Sequence, residues 1–279
     1  MRILKRLGIV GVVLTSALSF AMIGQSVVSA ATVSSTNFEL AYVDQSGNVY
    51  LKSGNISAPF IKIWDTSDPA SSVQVSHGGI VIIDQSGVLF ANTLPIVTTW
   101  TAITTNATPQ NVAISDTGIV FLSNSTLYIK FLAQLSYSWD SFFGNVQSFK
   151  MSANGNIAAI GNDGTLYEAY GGYGALWRPV ATNFNGYGVS NNSIGVIFGN
   201  ELYMMIGTPV NNVWLPTNSN AASVQLSSNG NIGVTDLSGN LDVALGGYGS
   251  LWTNNVRSSS DSTSTFVSDT VVTLSLIHI

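Results

Sequence analysis

The chain has 279 residues, no cysteine and a formal net charge of −5, which excludes disulfides, thiolate metal sites and an N-terminal lipid-bearing cysteine and makes nucleic acid or an anionic membrane a poor partner. Only 8% of its residues are charged, against ~25% in ordinary globular chains, while apolar residues stand at 46%. The surface must therefore be Asn, Ser, Thr, Gln and Gly, a neutral coat suited to an exterior setting whose acidity or salt would silence charge; loss of solubility in mild acid would count against that expectation.

The first element in chain order reads as a secretory signal. Arg2, Lys5 and Arg6 precede an uncharged, mostly apolar run from Leu7 to Ile23, and VVSA at 27–30 offers small residues for cleavage near Ala30. Residues 1–30 are thus a signal peptide, with an uncleaved anchor as the rival reading. Removing them takes away three of the nine basic residues and none of the fourteen acids, leaving a formal charge of −8. The expected location is secreted or cell-surface, without membrane insertion after cleavage.

From residue 31 onward a period governs the chain. The six tryptophans fall at 64, 100, 139, 177, 214 and 252, with spacings of 36, 39, 38, 37 and 38. After each comes a strand-like run ending in serine: SVQVS to Ser76, NVAIS to Ser115, FKMS to Ser152, GYGVS to Ser190, SVQLS to Ser227 and TFVS to Ser268. Turns follow as HGG, DTG, ANG, NNS and SNG, rich in residues that accept positive φ or bond their own backbone. The next runs are almost wholly apolar (ELAYVD, IVIID, IVFLS, NIAAIG, IGVIFG, NIGVTD), as strands buried on both faces should be. Second turns carry DQSG, NDG or LSG, third runs an aromatic, and fourth runs the Trp.

No 3.6-residue apolar stripe is long enough for a helix. The predicted fold is all-β: a β-propeller of six ~38-residue four-stranded blades spanning 31–273, or a truncated seven-bladed ring. Each Trp is expected to plug the space between neighbouring sheets while its indole N–H finds a carbonyl. In the first unit only ATVSST at 31–36 can stand for the opening strand. After Trp252, STFVSDTVVTLS restarts the period, but LSLIHI at 274–279 breaks it and reads as a non-native tail.

The pattern W…V-S-x-x-G-x-I/V…G-x-L-Y resembles the repeat of tectonin-type β-propeller lectins over about 31–279. The resemblance implies glycan binding in pockets on or between blades, without metal or catalysis.

Two irregularities single out ligand-binding candidates. GGYGALW at 171–177 and GGYGSLW at 246–252 are near-copies in which GGYG takes the turn between third and fourth strands. Flexible glycines there would stand Tyr173 and Tyr248 out from one end of the ring, with Tyr170 just before the first copy; the plainer reading is a tight loop whose Tyr packs on the rim. Five units place Tyr50, Phe90, Tyr128, Tyr167 or Tyr203 at one third-strand position where the sixth has Asp242. That carboxylate is either a relaxed edge residue or a ligand-facing acceptor.

Catalysis is hard to assemble. His77 is the sole histidine outside the tail, so a Ser–His–Asp triad would need it as base, and Asp44, Asp84, Asp116 and Asp236 sit where turns need aspartate. No cofactor or metal is expected. The chain is read as a non-enzymatic, carbohydrate-binding module whose partners are glycans or cell-surface polysaccharide; the alternative is an envelope or matrix scaffold that binds proteins.

Overall fold

The computed structural model describes residues 38–54, 58–65, 68–96, 99–207, 213–257, 264–267 and 272–275. The expected signal peptide, the segment 31–36 and residues 276–279 lie outside the described residues. Among the described residues one three-stranded and five four-stranded antiparallel sheets follow one another along the chain, with a two-stranded hairpin after them. Blade 1 comprises β1 (Phe38–Val43), β2 (Val49–Gly54) and β3 (Ile61–Trp64), and blade 2 comprises β4 (Ala70–Val75), β5 (Gly79–Asp84), β6 (Leu89–Thr93) and β7 (Thr101–Thr104). Blade 3 holds β8 (Val112–Ile114), β9 (Gly118–Ser123), β10 (Thr126–Phe131) and β11 (Asp140–Gly144), with a single 3-10 turn at Leu132–Gln134. Blade 4 holds β12 (Val146–Met151), β13 (Ile157–Gly161), β14 (Leu166–Ala169) and β15 (Trp177–Ala181). Blade 5 is β16 (Gly186–Val189), β17 (Ser193–Phe198), β18 (Glu201–Ile206) and β19 (Leu215–Asn218), and blade 6 is β20 (Ala221–Leu226), β21 (Ile232–Asp236), β22 (Leu241–Ala244) and β23 (Trp252–Arg257).

Within each four-stranded blade, sheet order is sequence order, and the first strands of successive blades touch. This is a β-propeller with the first strands nearest the axis. Blade 1 has three described strands, so its opening strand is not among them. After blade 6, β24 (Ser264–Val267) and β25 (Val272–Ser275) form a hairpin, and β24 also touches β20 and β21. That hairpin continues the period beyond the sixth blade, and its second strand runs through Leu274 and Ser275.

The core is a series of seams between blades. Strand β5 is buried at all six positions, and it serves two seams by alternation: Ile80 and Ile82 pack toward blade 1, Val81 and Ile83 toward blade 3. The same division recurs in β9, where Ile119 and Phe121 face blade 2 and Val120 faces blade 4, and in β13, where Ile157 and Ala159 face blade 3 and Ala158 faces blade 5. A period-two strand with no polar face has this as its one economical use. Every pairing of third with fourth strand carries a bulge beside the aromatic position, as at Val49/Tyr50, Leu89/Phe90 and Leu166/Tyr167, which adds local twist to the outer half of each blade.

Hydrogen bonds close the seams at both ends. At one end the Ala70 N–H donates to Gly47 O, Ala107 N–H to Gly87 O and Ala221 N–H to Asn200 O, each tying a blade's entry to the preceding blade's second turn. At the other end the serine-ended turns are linked in series. Ser76 Oγ donates to Ser115 O at 2.7 Å, Asp116 N–H to Ala153 O, and Asn191 N–H to Ser228 O. Ser115, Ser152, Ser190 and Ser227 are buried, and their hydroxyls accept backbone N–H groups of their own turns. The repeated serine is therefore a turn lock.

The tryptophans need one correction. Trp177 and Trp252 open their fourth strands opposite Ala169 and Ala244, and Trp100, Trp139 and Trp214 immediately precede theirs. Trp64 instead ends β3, opposite Val49. The ring at the entry to β3 is Phe60, over which Lys52 lies at 4.7 Å, while Trp64 fills the blade 1–2 seam from the other end of the strand, edge-on to Trp100 at 5.3 Å. The expected role, a ring in the seam with its N–H on a carbonyl, is met by Trp64, whose Nε1 donates to Asp68 O at 3.0 Å, and by Trp139, whose Nε1 donates to Ile103 O of blade 2 at 3.1 Å; Trp177 stacks on Phe143 of blade 3 at 3.9 Å.

Candidate functional site

Antiparallel order puts the turns after first strands and the loops after third strands on one face. Blades 4 and 6 build this face alike. Both GGYG loops share a backbone, with φ of +98, +77 and +85° at Gly171, Gly172 and Gly174 and +100, +83 and +85° at Gly246, Gly247 and Gly249. Only glycine adopts such a series without strain. A Cβ on Gly172 would also stand 3.0 Å from Gly155 O, and one on Gly247 3.1 Å from Gly230 O, because each loop lies directly on the turn of its own first hairpin.

Each loop is held by a buried asparagine that follows that turn. Asn156 Oδ1 accepts the Gly171 N–H at 2.8 Å and Asn231 Oδ1 accepts the Gly246 N–H at 2.7 Å. Asn156 also donates from Nδ2 to Ser190 O and Asn191 O of blade 5, so one side chain joins hairpin, loop and neighbouring blade. The sequence signal lies in the two N-G-N triplets, 154–156 and 229–231, which occur only in the units that carry GGYG. The loop of blade 3 is held differently: Lys130 donates to Leu135 O at 3.2 Å and to Tyr137 O, with its ammonium 5.3 Å from the Trp139 ring.

The four sequence candidates fall into three places. Tyr173 is 43% exposed, its ring edge-on to Phe131 at 5.3 Å and Phe142 at 5.9 Å in blade 3. Tyr248 occupies the equivalent place on blade 6, 41% exposed. Tyr170 is half-buried on the blade 4–5 rim, where its hydroxyl donates to Asn191 O at 3.4 Å. Asp242 lies in the third strand of blade 6, between β21 and β23, opposite Val234 and only 8% exposed. It is neither an edge residue nor a carboxylate offered to solvent.

Two depressions open elsewhere among the blades. One, of about 470 Å³, is lined by Asp116, Thr117, Phe131, Leu132, Ala133 and Gln134, and Phe131 among them carries Tyr173 of the blade 4 loop on its edge. Asp116 Oδ1 accepts the His77 N–H at 2.9 Å, which fixes the carboxylate on the turn. The site therefore combines an aromatic wall with one carboxylate, a hydroxyl and an amide. The second, of about 490 Å³, is mainly apolar and lies between blades 1 and 2 against Ile61, Ile63, Leu94, Ile96 and Trp100. Sequence reasoning missed the first because Asp116 and Gln134 become neighbours only when the blade 3 turn and loop fold onto one face. Among the described residues no group of three or more His, Cys, Asp or Glu could hold a metal ion.

No family model and no curated protein matches the chain. Solved structures do match in fold. Prp20p from Saccharomyces cerevisiae, whose binding to Gsp1p and histones has been described, is 11% identical with a TM-score of 0.58, covering 80% of this chain and 76% of its own. Human WBSCR16 is 9% identical with a TM-score of 0.58, covering 84% and 82%. Yeast RCC1 (Prp20) bound to Kap60 is 12% identical with a TM-score of 0.53, covering 74% and 67%. At such identities the likeness is one of fold.

Proposed function

We propose that the chain is a non-catalytic recognition propeller, exported from the cell, whose loop face binds carbohydrate. The observation that carries this reading is Tyr173, on a loop tied down by Asn156, set edge-on against Phe131 of the Asp116–Thr117–Gln134 depression. An aromatic ring for the C–H face of a sugar, with a few fixed acceptors and donors beside it, is the usual composition of a saccharide site. Tyr248 repeats the loop two blades away, so a polymeric glycan could engage two weak sites, and avidity of this kind raises affinity by roughly 10²–10⁴. The resemblance to tectonin-type lectins points the same way.

The test is a glycan array probed with the folded chain and with Tyr173→Ala/Gln134→Ala. Wild-type signal on a defined glycan class, lost at least tenfold in the variant at unchanged melting temperature, is the expected outcome. A blank wild-type array would sink the carbohydrate reading. A second reading, a protein-binding scaffold, is favoured by the structural neighbours crystallised with or tested against protein partners; a blank array together with a specific envelope protein retained by wild type and released by the same variant would select it.

A further inference from the structure

Glu168 breaks the repeat in the middle of a seam. The residue one place after the third-strand aromatic is Leu51, Ala91, Ile129, Met204 or Val243 in the other blades, all buried. In blade 4 it is Glu168, 2% exposed, with Oε2 lacking any hydrogen-bond partner. Pairing register sets Lys150, Ala158, Glu168 and Arg178 in one row across β12 to β15, on the face turned to blade 5, where Ala158 belongs to the shared core. At the inner end of the row Lys150 Nζ donates to Tyr187 O of blade 5 at 2.6 Å and lies 4.8 Å from that ring. At the outer end Arg178 is exposed. From blade 5 the facing titratable group is Tyr187; its companions Val189, Ile194, Val196 and Met205 are apolar. Directly beyond Glu168 the chain enters the blade 4 loop, which hangs on the same seam through Tyr170 and Asn156.

We propose that Glu168 makes the blade 4–5 seam an acid-closed latch: as a neutral acid it packs among the apolar residues of the seam, and as a carboxylate it parts the blades toward water and Arg178, loosening the Tyr173 loop. A buried carboxylate with one oxygen left without a hydrogen bond is among the costlier groups a core can hold. Burial pushes the Glu168 carboxyl up to about 7, against the opposing pull of Arg178. Because the folded value lies above the unfolded one of 4.5, the stabilisation is complete below pH 4.5 and is lost as pH rises through about 7. Such a preference accords with the charge-poor coat. It does not depend on which ligand the loop face takes.

The experiment compares wild type with Glu168→Gln and Glu168→Met, the latter importing the blade 5 residue, by urea unfolding from pH 4.5 to 8. The wild-type unfolding constant should rise roughly 10²-fold more across that range than in either variant. Hydrogen exchange, corrected for intrinsic rates, should show amides of β13, β16 and residues 170–176 opening at pH 8 in wild type only, and ¹³C NMR should place the Glu168 carboxyl transition near neutrality. Parallel pH profiles in all three proteins, or a Glu168 transition at the ordinary carboxylate value, would overturn the latch. If neither variant folds, the carboxyl titration of wild type decides alone.

Discussion

The load carried by single buried polar side chains on the loop face is out of proportion to their number. The Asn156 side chain meets three backbone groups, the Gly171 N–H and two carbonyls of blade 5, while its own N–H donates to the Ser152 hydroxyl. Replacing it with alanine takes the side-chain partner from the Gly171 N–H and from Ser190 O in a site that is 1% exposed, while Asn191 O keeps Asn154 and Tyr170, so Asn156→Ala is expected to cost ~2–3 kcal/mol in urea unfolding. Asn154→Ala, on an exposed neighbour in the same turn, is expected to cost under ~1.5 kcal/mol. Equal losses would mean that turn formation, not the loop clamp, is what Asn156 supplies. The turn and the loop were each legible in the sequence, but the bond between them was not, since residues fifteen apart become partners only through the intervening hairpin. Glu168 was hidden for a related reason: a lone Glu in a strand reads as a solvated position until the facing blade is known.

At the scale of elements, strand number and order followed from the period, and the second strands announced their burial because an apolar run without alternation needs two covers. The tryptophan phase misled in one unit. Spacing alone equates Trp64 with Trp100, whereas pairing equates Phe60 with Trp100, since a four-residue slide along β3 keeps an aromatic at the entry while moving the indole to the exit. Glycine chemistry in the blade 4 loops allows an internal comparison. Gly164 and Gly172 share φ of +77°, but a Cβ at Gly164 meets nothing within 4 Å while one at Gly172 reaches Gly155 O at 3.0 Å. Gly164→Ala should therefore cost only the left-handed backbone penalty of ~1–2 kcal/mol, and Gly172→Ala measurably more, with Tyr173 fluorescence or exchange of residues 170–176 altered in the second alone. Equal costs and unchanged loop exchange in both would show that the loop rides free of the hairpin beneath it.

For the molecule as a whole, the seams rather than charges hold neighbouring blades together. Five apolar clusters join six sheets in series, and a fully buried Ile or Leu contributes ~1.5–3 kcal/mol to such a seam. Among the described residues the ion pairs are Lys62–Asp65 at 3.3 Å, between side chains 41% and 70% exposed, and His77–Glu39 at 3.7 Å. Exposed pairs of the first kind are worth ~0–1 kcal/mol, and the chain's net charge of −5 acts against compaction by self-repulsion. Raising NaCl from 0.02 to 1 M, which shortens the screening length to ~3 Å, should thus remove almost nothing favourable while relieving that repulsion. The expected result is a melting temperature that stays level or rises slightly with salt, measured at pH 5.5 where the Glu168 latch is closed. A fall of more than ~4 °C, equivalent to about 1 kcal/mol or more for a chain of this size, would show that ionic contacts carry the ring and that the scarcity of charge reflects something other than independence from it.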